Sequence, residues 1–485
     1  MSRSKGCIPC KYRRKKCDEQ KPLCAACIRN VLICAWGPSS DPKGRVTTAS
    51  PSANYITTVP ASVEPVSFSR TRPSSGSNAM ASIKHLYSGV PDPHSLIQGP
   101  GSLHPQLRQS QAAFLYSFFL EKAAQAVSIR DERSNPFIHV LAPMALQSDM
   151  ILHTILAFSG VVLLQGSTSD IAHAVWEQYA LALRSLKFNL TKYTQGEGHL
   201  AIHVLLTCLL LCALEVWNTD TQDRGLLHFT AAQQVVSTAE AFCSGSPSFS
   251  LAAELYSYTI SLLPSCLDES AGFSFSGVDF TFNALMRPHT PFFGVLCGCA
   301  FSLLRLIPDV YVVSTAIHDA HQSGKTAPTE HYLSRQRLLG LVQIWMPEAL
   351  DEEGKYCGLI YRLALLALLE IDAGVESTTI DPTSSYRRQL VANMTHLLRS
   401  LPVDSNYSTI LCWPLAVLGS YAEESQHRDI ILKYLFHMAR KYRQGNMYQT
   451  IQLLRMIWDS PHLRRKGPRC LQAAMEAQGY RIMFT

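Results

Sequence analysis

The sequence predicts a small two-zinc, six-cysteine cluster module and a large all-α domain, joined by a flexible linker. Three observations carry that expectation. Six of the fifteen cysteines fall within the first 34 residues at repeating intervals. A Ser/Pro/Thr-rich stretch with few large apolar residues follows them. Beyond it, apolar residues recur at helical steps through most of the remaining chain.

The first element is marked by charge as well as by cysteine. The chain has 485 residues, 47% hydrophobic and 16% charged, which describes a protein that mostly folds and exceeds one ordinary core. Its formal net charge is +6, but residues 1–37 carry nine Lys/Arg against two Asp/Glu, a net of +7, which leaves −1 for residues 38–485. A concentration of that kind points to a polyanion partner, and nucleic acid is the usual one. The opening Met-Ser-Arg-Ser-Lys-Gly has no apolar core and is not a secretory signal. Disulfides are therefore not expected, and clustered cysteines read as metal ligands.

The cysteines are spaced Cys7-x2-Cys10-x6-Cys17-x6-Cys24-x2-Cys27-x6-Cys34, so the first three recur 17 residues later as the last three. Thiolate is a preferred zinc ligand, and two tetrahedral zinc ions need about eight ligand positions where six thiolates are available. Two bridging sulfurs close that gap. The repeat makes an equivalent pair the natural bridge, and Cys7 with Cys24 leads it. Six thiolates and two Zn2+ ions leave −2, which takes the local +7 to about +5. A segment this short has almost no apolar core, so metal binding must supply most of its folding free energy. A redox dithiol at Cys7-Ile8-Pro9-Cys10 would need a βαβ context that a polar hexapeptide does not provide. A single four-cysteine site would leave the duplication unexplained.

The halves differ in what lies between their cysteines. Lys11-Tyr12-Arg13-Arg14-Lys15-Lys16 puts five basic residues in six, whereas the matching insert 28–33 holds only Arg29. If each insert is a short helix, the first presents cations to DNA and the second packs and supports. Arginine suits the O6/N7 edge of guanine and lysine suits phosphate. The same hexapeptide also suits a nuclear import signal, and the two roles are compatible.

At these residues the chain resembles the fungal zinc binuclear cluster transcription factors, the Zn(2)-C6 type. The resemblance implies that Cys7, Cys10, Cys17, Cys24, Cys27 and Cys34 hold two zinc ions, with Cys7 and Cys24 bridging. It implies base reading by Arg13 and Arg14 in a CGG-type triplet, with Lys11 and Lys16 at the flanking basic positions and Lys15 between them. Pro22 falls at the family's loop proline between the halves. The implied partners are double-stranded DNA and the transcription machinery or its co-regulators, and the implied location is the nucleus. The implied function is pathway-specific regulation of RNA polymerase II genes.

The second element, residues 38–104, reads as linker on stretches such as 47–62 and 72–82. It has no heptad run, so no coiled coil is expected. A homodimer is thus not indicated there, and dimerisation through the helical domain stays open.

The third element, residues 105–485, is expected to be all-α with about a dozen helices. Val175, Tyr179, Leu183, Leu186 and Leu190 fall on one helix face, and similar stripes run through 109–125, 147–164, 200–217, 226–242, 359–373 and 386–401. The apolar runs 150–164 and 200–217 contain His153, Thr154, Ser159, His203, Thr207 and Glu215. Each falls short of the roughly 20 clean apolar residues a bilayer demands, so both are expected to be buried core helices and no membrane partner is expected. The region also resembles the fungal-specific transcription factor domain at Asn135-Pro136-Phe137, Leu152–Ala157 and Glu215–His228, which implies a regulatory role.

Catalytic motifs are scarce, and no enzyme is expected. There is no Gly-rich phosphate loop and no His-Glu-x-x-His pair, and Gly272-Phe273-Ser274-Phe275-Ser276 misses a nucleophile elbow because its closing glycine arrives at Gly277. Cys297-Gly298-Cys299 reads as buried core rather than a redox sensor, and Cys208 and Cys212 read as core. His318-Asp319-Ala320-His321 reads as a helix end rather than a metal site. The alternative function is a helical ligand-binding protein or enzyme carrying a zinc-stabilised interaction module. It would require a convergent polar constellation within residues 105–485.

Overall fold

The computed structural model describes residues 16–19, 104–164, 171–267, 278–349, 351–370, 382–464 and 466–485. The chain divides into two compact units, Met1–Gly89 and Val90–Thr485. Among the described residues there is no strand, and fifteen helices reach eight residues or more. They are α1 Ser110–Phe118, α2 Asp149–Leu164, α3 Ala172–Thr194, α4 Ala201–Trp217, α5 Arg224–Cys243, α6 Pro247–Leu262, α7 Val278–Leu285 and α8 Phe301–Gln322. There follow α9 Thr329–Ile344, α10 Glu352–Leu369, α11 Pro382–Ser400, α12 Cys412–Ser420, α13 Ser425–Tyr442, α14 Gly445–Asp459 and α15 Cys470–Gln478.

Helices α2, α3 and α4 pack on one another and show how pattern becomes position. α3 is amphipathic, and its Val175, Tyr179, Leu183 and Leu186 are buried. Leu190, the last residue of the expected stripe, is only half-buried. α2 is apolar all round and buried all round, as such a helix must be in water. Its polar residues find local acceptors: Thr154 Oγ1 donates to the Met150 carbonyl, and Ser159 Oγ to that of Ile155, both at 2.7 Å. His153 Nδ1 lies 2.7 Å from Gln178 Oε1 on α3. Gly160 permits the close crossing of α2 and α3, because a Cβ there would stand 2.2 Å from the Val175 side chain.

The stretch Gly198–Trp217, α4 with the 3-10 turn before it, is long and apolar enough to cross a bilayer. That is longer than the sequence run suggests, but 83% of its apolar window is buried by neighbouring protein. Its hydrophobic surface is spent on the core.

Capping defines several boundaries. Ser246 accepts from the Phe249 N–H at 3.2 Å with Pro247 at the first helical position, which starts α6. Asp351 accepts from the Gly354 N–H at 2.8 Å and starts α10, with Glu352 and Glu353 in its first turn. The stripe at 109–125 is one helical run with a π-turn at Phe119–Ala123. A second core centre joins α6, α10 and α12. The Tyr361 hydroxyl donates to the Ile410 carbonyl at 2.6 Å, and its ring stacks on buried Trp413 with centroids 5.5 Å apart.

Candidate nucleic-acid interface

Of the six-cysteine block, residues 16–19 are described. Cys7, Cys10, Lys11, Arg13, Arg14, Lys15, Pro22, Cys24, Cys27 and Cys34 lie outside the described residues. Lys16 is exposed and Cys17 is half-buried. The Glu19 N–H donates to Cys17 Sγ at 3.4 Å, and Glu19 turns the chain with φ 58°. A sulfur that accepts a backbone N–H can do so equally as a metal-bound thiolate.

The helical unit holds the other residues singled out in the sequence, and each has a packing role. Cys297 and Cys299 are fully buried, and burial pushes both thiols well up. Such cysteines are inert as redox nucleophiles. Burial likewise pushes Cys208 up to about 12, and Cys212 further. The His318-Asp319-Ala320-His321 segment is split among neighbours: buried His318 packs against Gly467, and Asp319 pairs with Arg469 at 2.7 Å. His321 Nε2 lies 2.8 Å from the Tyr332 hydroxyl. No cluster of three or more potential metal ligands occurs among the described residues. The near-elbow at 272–277 lies outside the described residues.

The motifs behind the second resemblance are structural joints. Buried Asn135 donates to the Ala124 carbonyl and accepts from the Phe137 N–H, both at 2.9 Å, which folds Asn135-Pro136-Phe137 onto the preceding helix. The segment Glu215–His228 builds a buried ionic network. The Tyr179 hydroxyl donates to Glu215 Oε1, while Arg224 reaches Glu215 Oε2 at 3.3 Å and Asp220 Oδ1 at 3.2 Å. Asp220 also accepts from the backbone N–H groups of Gln222 and Gly225, each at 2.9 Å. Burial pushes the Glu215 carboxyl up, and Arg224 and the Tyr179 hydroxyl pull it back. Beside the network, residues including Asp220, Cys266, Asn446 and Arg481 line a cavity of about 20 Å³, room for about one water. Glu215 was legible as a charge inside an apolar run, but its partners were not.

A second carboxylate is buried as completely. Glu254 on α6 accepts from the backbone N–H groups of Phe293 at 2.6 Å, Gly294 at 3.1 Å and Val295 at 2.7 Å. Arg130 donates to the Phe293 carbonyl from the other side of this loop. Gly294 takes φ 64°, a conformation that favours glycine. Full burial raises the Glu254 carboxyl to about 7 against the pull of those N–H groups and Arg130. A raised carboxyl stabilises the fold below its ordinary range, and that contribution is lost as pH climbs through about 7. Relative to a Glu254→Gln variant, the native chain should lose about 3 kcal/mol between about pH 4 and pH 8. Denaturant titrations across that range check it, and a difference that does not change with pH contradicts it.

A basic, cysteine-rich metal module and a large helical domain on one chain define a DNA-binding transcriptional regulator. Residues 114–485 match the fungal specific transcription factor domain, and residues 5–43 match the fungal Zn(2)-Cys(6) binuclear cluster domain. The chain belongs to this family of fungal transcription factors, whose cluster holds two zinc ions, and it is not an enzyme. It is 24% identical over 228 residues to the transcriptional activator protein UGA3 of Saccharomyces cerevisiae, covering 45% of this chain and 41% of that one. It is 44% identical over 45 residues to the transcription factor lfc1 of Flammulina velutipes, covering 9% of this chain and 16% of the relative. The matches thus span well under two thirds of either relative. No solved structure matches the chain.

Proposed function

We propose that the protein reads a short GC-rich, CGG-like DNA element through residues 1–37 and regulates pathway-specific RNA polymerase II genes from the nucleus. In this reading Cys7, Cys10, Cys17, Cys24, Cys27 and Cys34 would hold the two zinc ions. Zinc, when bound, supplies the cross-links that fold a segment too small for a core. Residues 38–104 tether that module to a regulatory domain at 105–485, which engages co-regulators or the transcription machinery.

The observation that carries the reading is the basic insert between Cys10 and Cys17, with five cations in six residues and no counterpart in the second half. Arg13 and Arg14 read guanine edges, while Lys11, Lys15 and Lys16 hold phosphates. Arg14→Ala should therefore cost about 1–3 kcal/mol of discrimination between the element and a single-base mismatch. Lys11→Ala should weaken all duplexes alike and lower the salt slope by about one. Competition titrations separate the two effects. A sequence-selective loss from Lys11→Ala would overturn this division of labour.

A further inference from the structure

The net of −1 over residues 38–485 conceals a second concentration of positive charge. Residues 425–469 carry ten Lys/Arg and two Asp/Glu, a net of +8, which leaves −9 for the rest of that region. Within this stretch α13 and α14 form a hairpin, followed by the short helix Pro461–Arg464 and the 3-10 turn Gly467–Arg469, and Arg465 lies outside the described residues. On α13, Lys433, Phe436 and Arg440 lie at steps of three and four and are exposed, so they form one outward stripe. From α14, exposed Arg455 brings its guanidinium to 5.6 Å from the Phe436 ring, which joins the two helices into one surface. Arg428 stacks on Trp458 and is held below its ordinary value first by burial and then by the nearby Arg464 charge, against the pull of Asp459 and Glu423. Lys466 is exposed.

Some of the chain's basic residues are tied to carboxylates, as at Arg287 with Glu240, Arg305 with Asp279 and Arg469 with Asp319. Among the described residues, no carboxylate lies within ion-pair distance of Lys433, Arg440, Arg455, Arg464 or Lys466. Packing like charges without counter-ions disfavours the fold unless a polyanion uses them.

We propose that this face is a second DNA-contacting surface that holds the phosphate backbone of a duplex without reading its bases. Lys433 to Arg440 covers about 10 Å along the helix. At that separation each of the two cations can meet a phosphate of its own. Such contacts add affinity and salt dependence but no sequence preference. Because they share a chain with the cysteine module, they act at high effective concentration once that module is bound. The surface stands independently of which bases the module reads.

The test uses the full-length, zinc-loaded protein and a random-sequence duplex, with Lys433, Arg440, Arg455 and Lys466 all changed to Gln. A control changes the exposed Arg108, Lys122, Arg184 and Lys187 to Gln and removes the same charge elsewhere. Four lost phosphate contacts should lower the log–log salt slope by about three to four and weaken binding by roughly tenfold or more at low salt. The control should change neither by a comparable amount, and both variants should keep the native helical circular dichroism. Equal slopes for native chain and hairpin variant would overturn the proposal, as would equal losses in variant and control. Binding of a polyglutamate peptide that depends on the hairpin, with duplex binding unchanged, would overturn it in favour of an acidic protein partner. A faulty reading of the cysteine module would appear instead as no preference for any DNA element, a separate measurement.

Discussion

Stripping zinc from the protein is expected to abolish its preference for any DNA element while leaving the helical circular dichroism intact. The cysteine block has few apolar residues to bury, so a hydrophobic core cannot stabilise it. Structural zinc sites of this kind supply on the order of 10 kcal/mol of apparent folding free energy near neutral pH, comparable to a typical domain's entire stability. The metal-free segment keeps its charge but loses the geometry that aims Arg13 and Arg14. Binding should therefore collapse to its electrostatic, sequence-independent part, a loss of roughly a thousandfold or more on the element. The helical unit should keep its signal, because its described residues contain no cluster of potential metal ligands and its core is apolar. Competition with specific and random duplexes before and after chelation, followed by zinc restoration, makes the comparison. Selectivity that persists in metal-free protein would contradict the zinc-dependent mechanism.

The largest single-residue effect on the helical unit is expected at Glu215. Its carboxylate is fully buried between the Tyr179 hydroxyl and the Arg224 guanidinium, and α3, α4 and α5 meet there. Removing one partner of a buried ion pair typically costs about 3–5 kcal/mol, and because Asp220 still pairs with Arg224 at 3.2 Å the cost here is expected at the lower end of that range. Glu215→Ala should lose about that much in denaturant unfolding. Glu215→Gln keeps the volume and one acceptor and should lose less, while Tyr179→Phe removes one donor to a charged group, worth about 1.5–3 kcal/mol. A Glu215→Ala loss below about 1 kcal/mol would show that the network contributes little beyond packing.

Sequence and structure agree best where a helix has a wet side and a dry side. α3 could be read because its buried Val175, Tyr179, Leu183 and Leu186 alternate with exposed residues such as Arg184 and Lys187. α2 and α4 were legible as apolar runs whose interruptions ruled against a clean membrane span. α6 and α12 escaped notice because they are buried on almost every side, so no polar face marks their period. Glu254 was equally hidden, since its three N–H partners lie about 40 residues away in a loop. No local spacing records a contact of that range. The basic band on α13 and α14 was masked differently, by averaging. Its +8 disappeared into a regional sum near zero. The cysteine block stood at the other extreme, because ligand spacing is itself the chemistry.

Selection of bound duplexes from a random-sequence pool by the zinc-loaded, full-length protein tests the central claim most directly. Enrichment of a GC-rich, CGG-like triplet is expected, with that enrichment lost when Arg13 and Arg14 are both replaced by alanine. A pool that shows no enriched element after repeated selection would contradict it.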